Sequence, residues 1–377
     1  NFTDFRLIIM LAIYRKYRPK NLGDLLGQEH IVEILRNASR QEKFAHAYLF
    51  FGPRGSGKTT TARLIAKLIN CEKRQSDKKF KDEGEPCNEC RPCLEINAGH
   101  ALDVIEIDAA SNRGIDEIRD LQEGVRLSPT SYKNKVFIID EVHMLTRDAF
   151  NALLKTLEEP PAHAVFILAT TEYEKVPATI SSRSQRFHFR KLNLNEIINK
   201  LKMIIKLEKL KVADDAIELI AALAEGSLRD AESLLDQITS LDQNVELVDV
   251  EKIAGKIGYK KTAALAEFLL KNDLQGALNY LNEIDQDGYN LVQLTKDVIH
   301  YLRRVLTLKM NPKMEDLYKK ELTSEEIKFL KEHTGLIHET KHITLLKSLI
   351  RAYGEMRYSP FAIVPLEVAI IENLSQS

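Results

Sequence analysis

The octapeptide Gly52-Pro53-Arg54-Gly55-Ser56-Gly57-Lys58-Thr59 constrains the fold of this chain more than any other segment. It has the spacing G-x-x-x-x-G-K-[ST]. In that pattern glycines let backbone N–H groups turn inward around phosphate oxygens, and the following helix aims its positive end at them. The context agrees. Ala47 to Phe51 is a short apolar run of strand character, and Lys58 to Ile69 carries helical periodicity. Lys58 would reach the β- and γ-phosphates of a nucleotide, and the Thr59 hydroxyl would ligate Mg²⁺. Thr60 continues the same first helical turn.

A second element completes the pattern. Val136-Phe137-Ile138-Ile139 reads as a buried strand that delivers Asp140 and Glu141 at its C-terminal end, where α/β sheets place their ligands. Asp140 fits the Mg²⁺ partner and Glu141 the group that polarises an attacking water. Val104 to Ile107 and Val165 to Ala169 are further β-rich runs, with helical patterns at Ile115 to Arg126 and Arg147 to Leu157. Strands alternating with helices imply parallel crossovers and a three-layer α/β domain. From about Asn193 the β signal disappears. Asn195 to Leu207, Asp214 to Glu225 and Leu228 to Ser240 read as successive helices, and the chain is again helical from about Gly258, without an internal repeat.

All four cysteines lie in one cluster, Cys71, Cys87, Cys90 and Cys93, spaced C-x15-C-x2-C-x2-C. Two adjacent C-x2-C knuckles with a fourth thiolate suit a closed, structural Zn²⁺ tetrahedron. An iron–sulfur cluster, redox cysteines and buried free thiols stay open as rivals. The intervening Lys73 to Glu85 is highly charged and is expected to be a mobile insertion. With 54 basic and 55 acidic residues the formal net charge is −1, which argues against a uniformly basic nucleic-acid coat. No apolar run approaches the roughly 18 residues of a membrane span, and the basic stretch Tyr14 to Arg18 follows the apolar run Leu7 to Ile13 without a small-residue cleavage site. The expectation is a soluble, cytoplasmic protein with no membrane partner. Met10 is a candidate start, so residues 1–9 carry little weight.

Taken together, these motifs resemble those of the bacterial DNA polymerase III clamp-loader γ/τ subunits, which are AAA+ ATPases. The resemblance is carried by Tyr17-Arg18-Pro19, Gly27-Gln28-Glu29-His30, the phosphate loop, the cysteine cluster and Ile107-Asp108-Ala109-Ala110-Ser111. Asp140-Glu141-Val142-His143-Met144-Leu145 and Asn151 to Pro161 carry it further, and it continues more weakly through Tyr358-Ser359-Pro360. It implies an AAA+ domain over residues 1–192 with a zinc module at 71–93, a helical lid over 193–256 and a helical oligomerisation collar over 257–377. It implies ATP, Mg²⁺ and Zn²⁺ as cofactors. The implied partners are δ, δ′, further γ/τ copies, the sliding clamp and primed DNA.

Several roles are implied by position in the same way. Thr171, ending Leu168-Ala169-Thr170-Thr171, resembles the residue that senses the γ-phosphate. Arg183, in Ser182-Arg183-Ser184, resembles the finger that reaches a neighbour's ATP, and Arg229 the lid arginine that reports nucleotide state. Tyr17, Arg18 and Pro19 lie where the family closes over the base. Three departures are visible: Ser184 stands where cysteine is usual, the Cys71–Cys87 gap is long, and the τ-type C-terminal part is missing from the sequence, through truncation or because the form is γ-like. One rival reading is a non-hydrolysing δ′-like zinc-bearing scaffold, disfavoured by the intact Lys58, Thr59, Asp140 and Glu141. Another is a different AAA+ DNA-remodelling ATPase, disfavoured by the cysteine cluster.

Overall fold

The computed structural model describes residues 12–240, 244–254, 259–319, 321–356 and 358–375. The candidate start at Met10 and the expected domain boundary at 256 lie outside them. The chain divides into two compact units: residues to Leu192 together with Ala224–Ser233, and Asn193–Leu223 together with Leu234 onward. The segment expected to form the lid therefore contributes to both.

In the first unit, five parallel strands form one sheet: β1 (Ala47–Phe51), β2 (Val104–Asp108), β3 (Lys135–Asp140), β4 (Ala164–Thr170) and β5 (Gln185–His188). Their order is β2-β3-β4-β1-β5. Helix α1 spans Glu29–Gln41, α2 Lys58–Asn70, α3 Arg91–Ala98, α4 Ile115–Arg126 and α5 Arg147–Glu158. Strand alternation sorts the core into two faces. Tyr48 and Phe50, Val136 and Ile138, and Val165, Ile167 and Ala169 pack with α1 and α2. Ala47 and Leu49, Phe137 and Ile139, and Ala164, Phe166 and Leu168 pack with α4 and α5. The three-layer domain anticipated from the sequence is thus present. The edge strand β5 is an addition; only Phe187 of its four residues is buried, so it carries no apolar alternation to detect.

The charged insertion after Cys71 differs from its expected mobility. It contains two short helical turns, Glu72–Ser76 and Lys78–Lys81. Arg74 is buried and donates to Leu68 O and to Ser39 O at 2.8 Å. Charge here is spent on anchoring the segment rather than on solvation.

In the second unit, α6 (Leu194–Glu208) packs on α7 (Asp214–Leu223); of α8 (Leu228–Thr239), residues from Leu234 on belong to this unit and those before it to the first. A two-residue parallel pair, Lys211–Val212 with Asn244–Val245, interrupts the all-helical expectation. Among the described residues, seven longer helices follow: α9 (Leu247–Ala254), α10 (Tyr259–Leu270), α11 (Leu274–Gln286), α12 (Leu291–Met310), α13 (Ser324–Thr334), α14 (Glu339–Met356) and α15 (Ile363–Leu374). One apolar cluster runs from Ala263 to Leu374 and joins α10 to α15. Among the described residues, no helix is long and apolar enough to cross a membrane.

Candidate nucleotide site and cysteine centre

Strand order brings the motifs together. Strand β4 lies between β1 and β3, so the C-terminal ends of all three open on one edge, with Phe51 opposite Thr170. Between β1 and α2 the chain turns through Gly52, Gly55 and Gly57, with φ of 141°, 71° and 101°. The first two are required sterically as well. A Cβ on Gly52 would lie 2.3 Å from Phe189 O, and one on Gly55 would lie 2.0 Å from Ser227 Oγ.

Lys58 opens α2 and is almost fully buried. Its Nζ donates to Gly52 O and Pro53 O, each at 2.8 Å. Burial lowers its pKa below the ordinary lysine value, while the Glu141 and Asp140 carboxylates act in the opposite direction. The ammonium is thus desolvated, with two carboxylates that favour its charged form. Thr59 Oγ1 donates to Asp140 Oδ2 at 2.6 Å, placing a hydroxyl and a carboxylate side by side. These two oxygens fit a hard cation such as Mg²⁺.

Glu141 adopts φ 48° immediately after β3. Its Oε2 accepts from Thr171 N at 3.2 Å and from Thr171 Oγ1 at 2.9 Å. His143, nearly buried, stands 3.4 Å from the same oxygen through Nδ1 and 3.1 Å from Glu172 Oε1 through Nε2. His143 follows Asp140-Glu141-Val142 directly, but no spacing rule in the sequence points to it.

One cleft collects most of the expected nucleotide residues. It is lined by Arg54 to Thr60, Asp140, Glu141, Arg18, Pro19 and Arg229. Gly52 and Pro53 shape it through the carbonyls that hold Lys58. Tyr17 is not among the lining residues. Tyr14 takes that place, with Arg229 over its ring at 5.2 Å. Leu25, Leu26, Leu192 and Leu228 add apolar wall that the motifs did not reveal. Thr171 stands behind Glu141 rather than on the cleft surface. Arg183 lies outside the cleft, donating to Glu158 Oε1 at 2.7 Å and Thr179 O at 2.9 Å.

The four cysteines converge as their spacing anticipated. Their sulfurs all lie within 4.8 Å of one another. Cys90 and Cys71 are 3.9 Å apart, Cys87 and Cys93 4.0 Å. A tetrahedron of 2.3 Å zinc–sulfur bonds has edges of about 3.8 Å, so the donor set fits zinc. Backbone N–H groups of Glu89 and Cys90 donate to Cys87 Sγ at 3.4 and 3.2 Å, the kind of support that steadies a thiolate ligand.

Family comparisons agree along the chain. Residues 27–193 match the family described as DNA polymerase III, delta subunit. Residues 196–241 match the clamp loader subunit ATPase lid domain, and 245–376 match DNA polymerase III subunits gamma and tau domain III. DNA polymerase III subunit gamma of Buchnera aphidicola subsp. Schizaphis graminum is 37% identical over 364 residues, which cover 96% of this chain and 97% of that one. The chain belongs to the DNA polymerase III gamma/tau family. Bacillus subtilis tau is 43% identical over 96% of this chain, and Escherichia coli tau 36% over 97%. The chain spans only 62% and 55% of those two tau relatives. Among solved structures it is similar to Thermotoga maritima RuvB, at 18% identity and a TM-score of 0.46, over 67% of this chain and 79% of that one. Neither rival drawn from the sequence, the scaffold or the other remodelling ATPase, is favoured by these gamma/tau relatives.

Proposed function

We propose that this chain is the ATP-hydrolysing motor subunit of a clamp loader, coupling ATP binding and hydrolysis to loading of a sliding clamp onto primed DNA. The observation that carries this reading is the convergence of Lys58, the Thr59–Asp140 pair and the Thr171-bound Glu141 on one sheet edge. The turn through Gly52 to Gly57 would bind the phosphates through backbone N–H groups, and Lys58 would meet the β- and γ-oxygens. Thr59 and Asp140 would hold Mg²⁺, which supplies charge neutralisation on the phosphates. Tyr14, Arg18, Leu25 and Leu228 enclose the nucleoside side and exclude water. Glu141 orients and deprotonates the attacking water, and Thr171 N–H and Oγ1 fix the direction of its carboxylate. Arg229, already in the cleft, would report the nucleotide state.

Arg183 would act on a neighbouring subunit's ATP, consistent with its position outside its own cleft. A ring also requires an assembly surface. In the expected collar, α15 buries Leu366, Ala369, Ile370 and Leu374, yet leaves Val364, Val368 and Ile371 exposed, next to exposed Phe361. Such an unburied apolar stripe suits further γ/τ copies with δ and δ′. Zinc, held by Cys71, Cys87, Cys90 and Cys93, would be structural, since four thiolates leave no open position. DNA would be gripped mainly through its phosphates by the assembled ring, in keeping with the neutral net charge. The test is ATP turnover by the complex with and without clamp and primed DNA. Stimulation by both together is expected, and a turnover indifferent to them would overturn the loader reading.

A further inference from the structure

Residues 20–23 connect two stretches that line the cleft, Arg18-Pro19 before them and Asp24-Leu25-Leu26 after. Every one of the four is bonded to a residue from elsewhere in the unit. Lys67 Nζ donates to Lys20 O at 2.7 Å. Asn88 Nδ2 donates to Asn21 Oδ1 at 2.8 Å. The N–H groups of Leu22 and Gly23 donate to the Glu85 carboxylate at 2.6 and 3.1 Å. The segment itself is little more than one 3₁₀ turn, Leu22–Asp24. A turn that short has little stability of its own, so its place is set by what anchors it.

Three of those four bonds come from the cysteine lobe. Glu85 and Asn88 sit on either side of Pro86-Cys87, and Asn88 lies within the knuckle closed by Cys90 N–H on Cys87 Sγ. The anchors are themselves fixed. Arg36 donates to Glu85 Oε1 at 2.6 Å, and Lys67 Nζ donates to Asn88 Oδ1 at 2.7 Å and Asn97 Oδ1 at 3.0 Å. Lys67 is 1% exposed, and burial lowers its pKa to about 8. None of the four cysteines lines the cleft. The lobe therefore reaches the cleft wall through the segment it holds, and it also packs on the helix Lys58–Asn70 through Ile96 and Lys67.

We propose that Glu85 and Asn88 are positioning residues for the nucleotide site: through them the cysteine lobe clamps the 18–26 segment over the cleft and sets how long nucleotide is retained. This rests on reading the cleft as an ATP site. Metal that orders the Cys87–Cys90 knuckle would thus order a wall of the cleft as well. The two functions that the sequence kept separate become linked.

The experiment measures release of a fluorescent methylanthraniloyl-ADP from the full chain, with zinc content determined on the same samples. Glu85→Ala removes the acceptor for three donors. Asn88→Gly removes the side-chain bonds to Asn21 and Lys67, with two longer ones to Pro86 O and Asn97, while keeping access to the left-handed φ of 58°, so it serves where the first variant folds poorly. Both should keep zinc yet release ADP about tenfold faster or more, the factor equivalent to losing one hydrogen bond to a charged group. Glu85→Asp, which retains the carboxylate, should recover part of the slow release. Lys73→Ala, which removes an exposed pair with Glu89 and a cation–π contact with Phe80, should not alter it. Wild-type release from both Glu85→Ala and Asn88→Gly, while Lys58→Ala abolishes binding, overturns the proposal. Tight binding by Lys58→Ala would instead overturn the reading of the cleft itself.

Discussion

Replacing Arg183 by alanine separates a ring motor from a self-contained ATPase, because the two predict losses of very different size. Within its own chain, Arg183 bonds Glu158 and Thr179 O, and the paired side chains are 36% and 49% exposed. An exposed pair of this kind contributes about 0–1 kcal/mol. The isolated variant should therefore melt within a few degrees of wild type. It should also bind ATP unchanged, because Arg183 is not among the cleft-lining residues. An arginine finger acting in trans is worth about 10³–10⁵ in rate, or about 4–7 kcal/mol of transition-state stabilisation. That exceeds anything the Glu158 pair can account for. The same weakness of the pair means that Arg183 can leave Glu158 for a neighbour at little cost. The assay is ATP turnover by the assembled complex with clamp and primed DNA, for each variant alone and for Arg183→Ala mixed with Lys58→Ala. Mixed rings contain interfaces with an intact phosphate loop facing an intact Arg183, so part of the activity should return. Equal loss in the isolated subunit, with no recovery on mixing, would place Arg183 in its own site and refute the inter-subunit mechanism.

Glu141→Gln can still offer a carbonyl oxygen to Thr171 N–H and Oγ1. ATP affinity should therefore persist while single-turnover hydrolysis falls by about 10²–10⁴; wild-type hydrolysis would remove Glu141 from its role. Gly55→Ala imposes φ 71° on a residue with a side chain, at about 1–2 kcal/mol, and drives a Cβ to 2.0 Å from Ser227 Oγ. Titration should show at least about tenfold weaker ATP binding, in line with that strain. Cys90→Ser should lose zinc by elemental analysis and leave the 71–98 lobe open to limited proteolysis. Intact zinc in that variant would contradict the four-thiolate site.

The features legible in the residues alone are local. The phosphate loop is a run of backbone conformations that glycines permit, and Lys58 and Thr59 follow it on one helical turn. The strand ending in Asp140-Glu141 announces itself by four consecutive buried apolar residues. The cysteine knuckles are legible because two thiolates three residues apart share one turn. In each case the interaction lies within a few residues of chain, so composition and spacing encode it directly. Strand β5 and the Lys211–Val212 pairing escaped because an edge strand with one buried residue, or a strand of two residues, has no period to read.

How the cleft is closed and what holds it follow from long-range packing. Tyr14 rather than Tyr17 meets Arg229, across more than two hundred residues of chain. Glu141 is oriented by Thr171 because β4 is threaded between β1 and β3. Lys73 to Glu85, charged enough to read as solvated, carries Arg74 inward to Ser39 O and Glu85 onto Leu22 and Gly23. A charged side chain looks alike in sequence whether it faces water or satisfies buried backbone groups. The distinction depends on which donors and acceptors the fold has left without water, and that is settled only when distant segments pack.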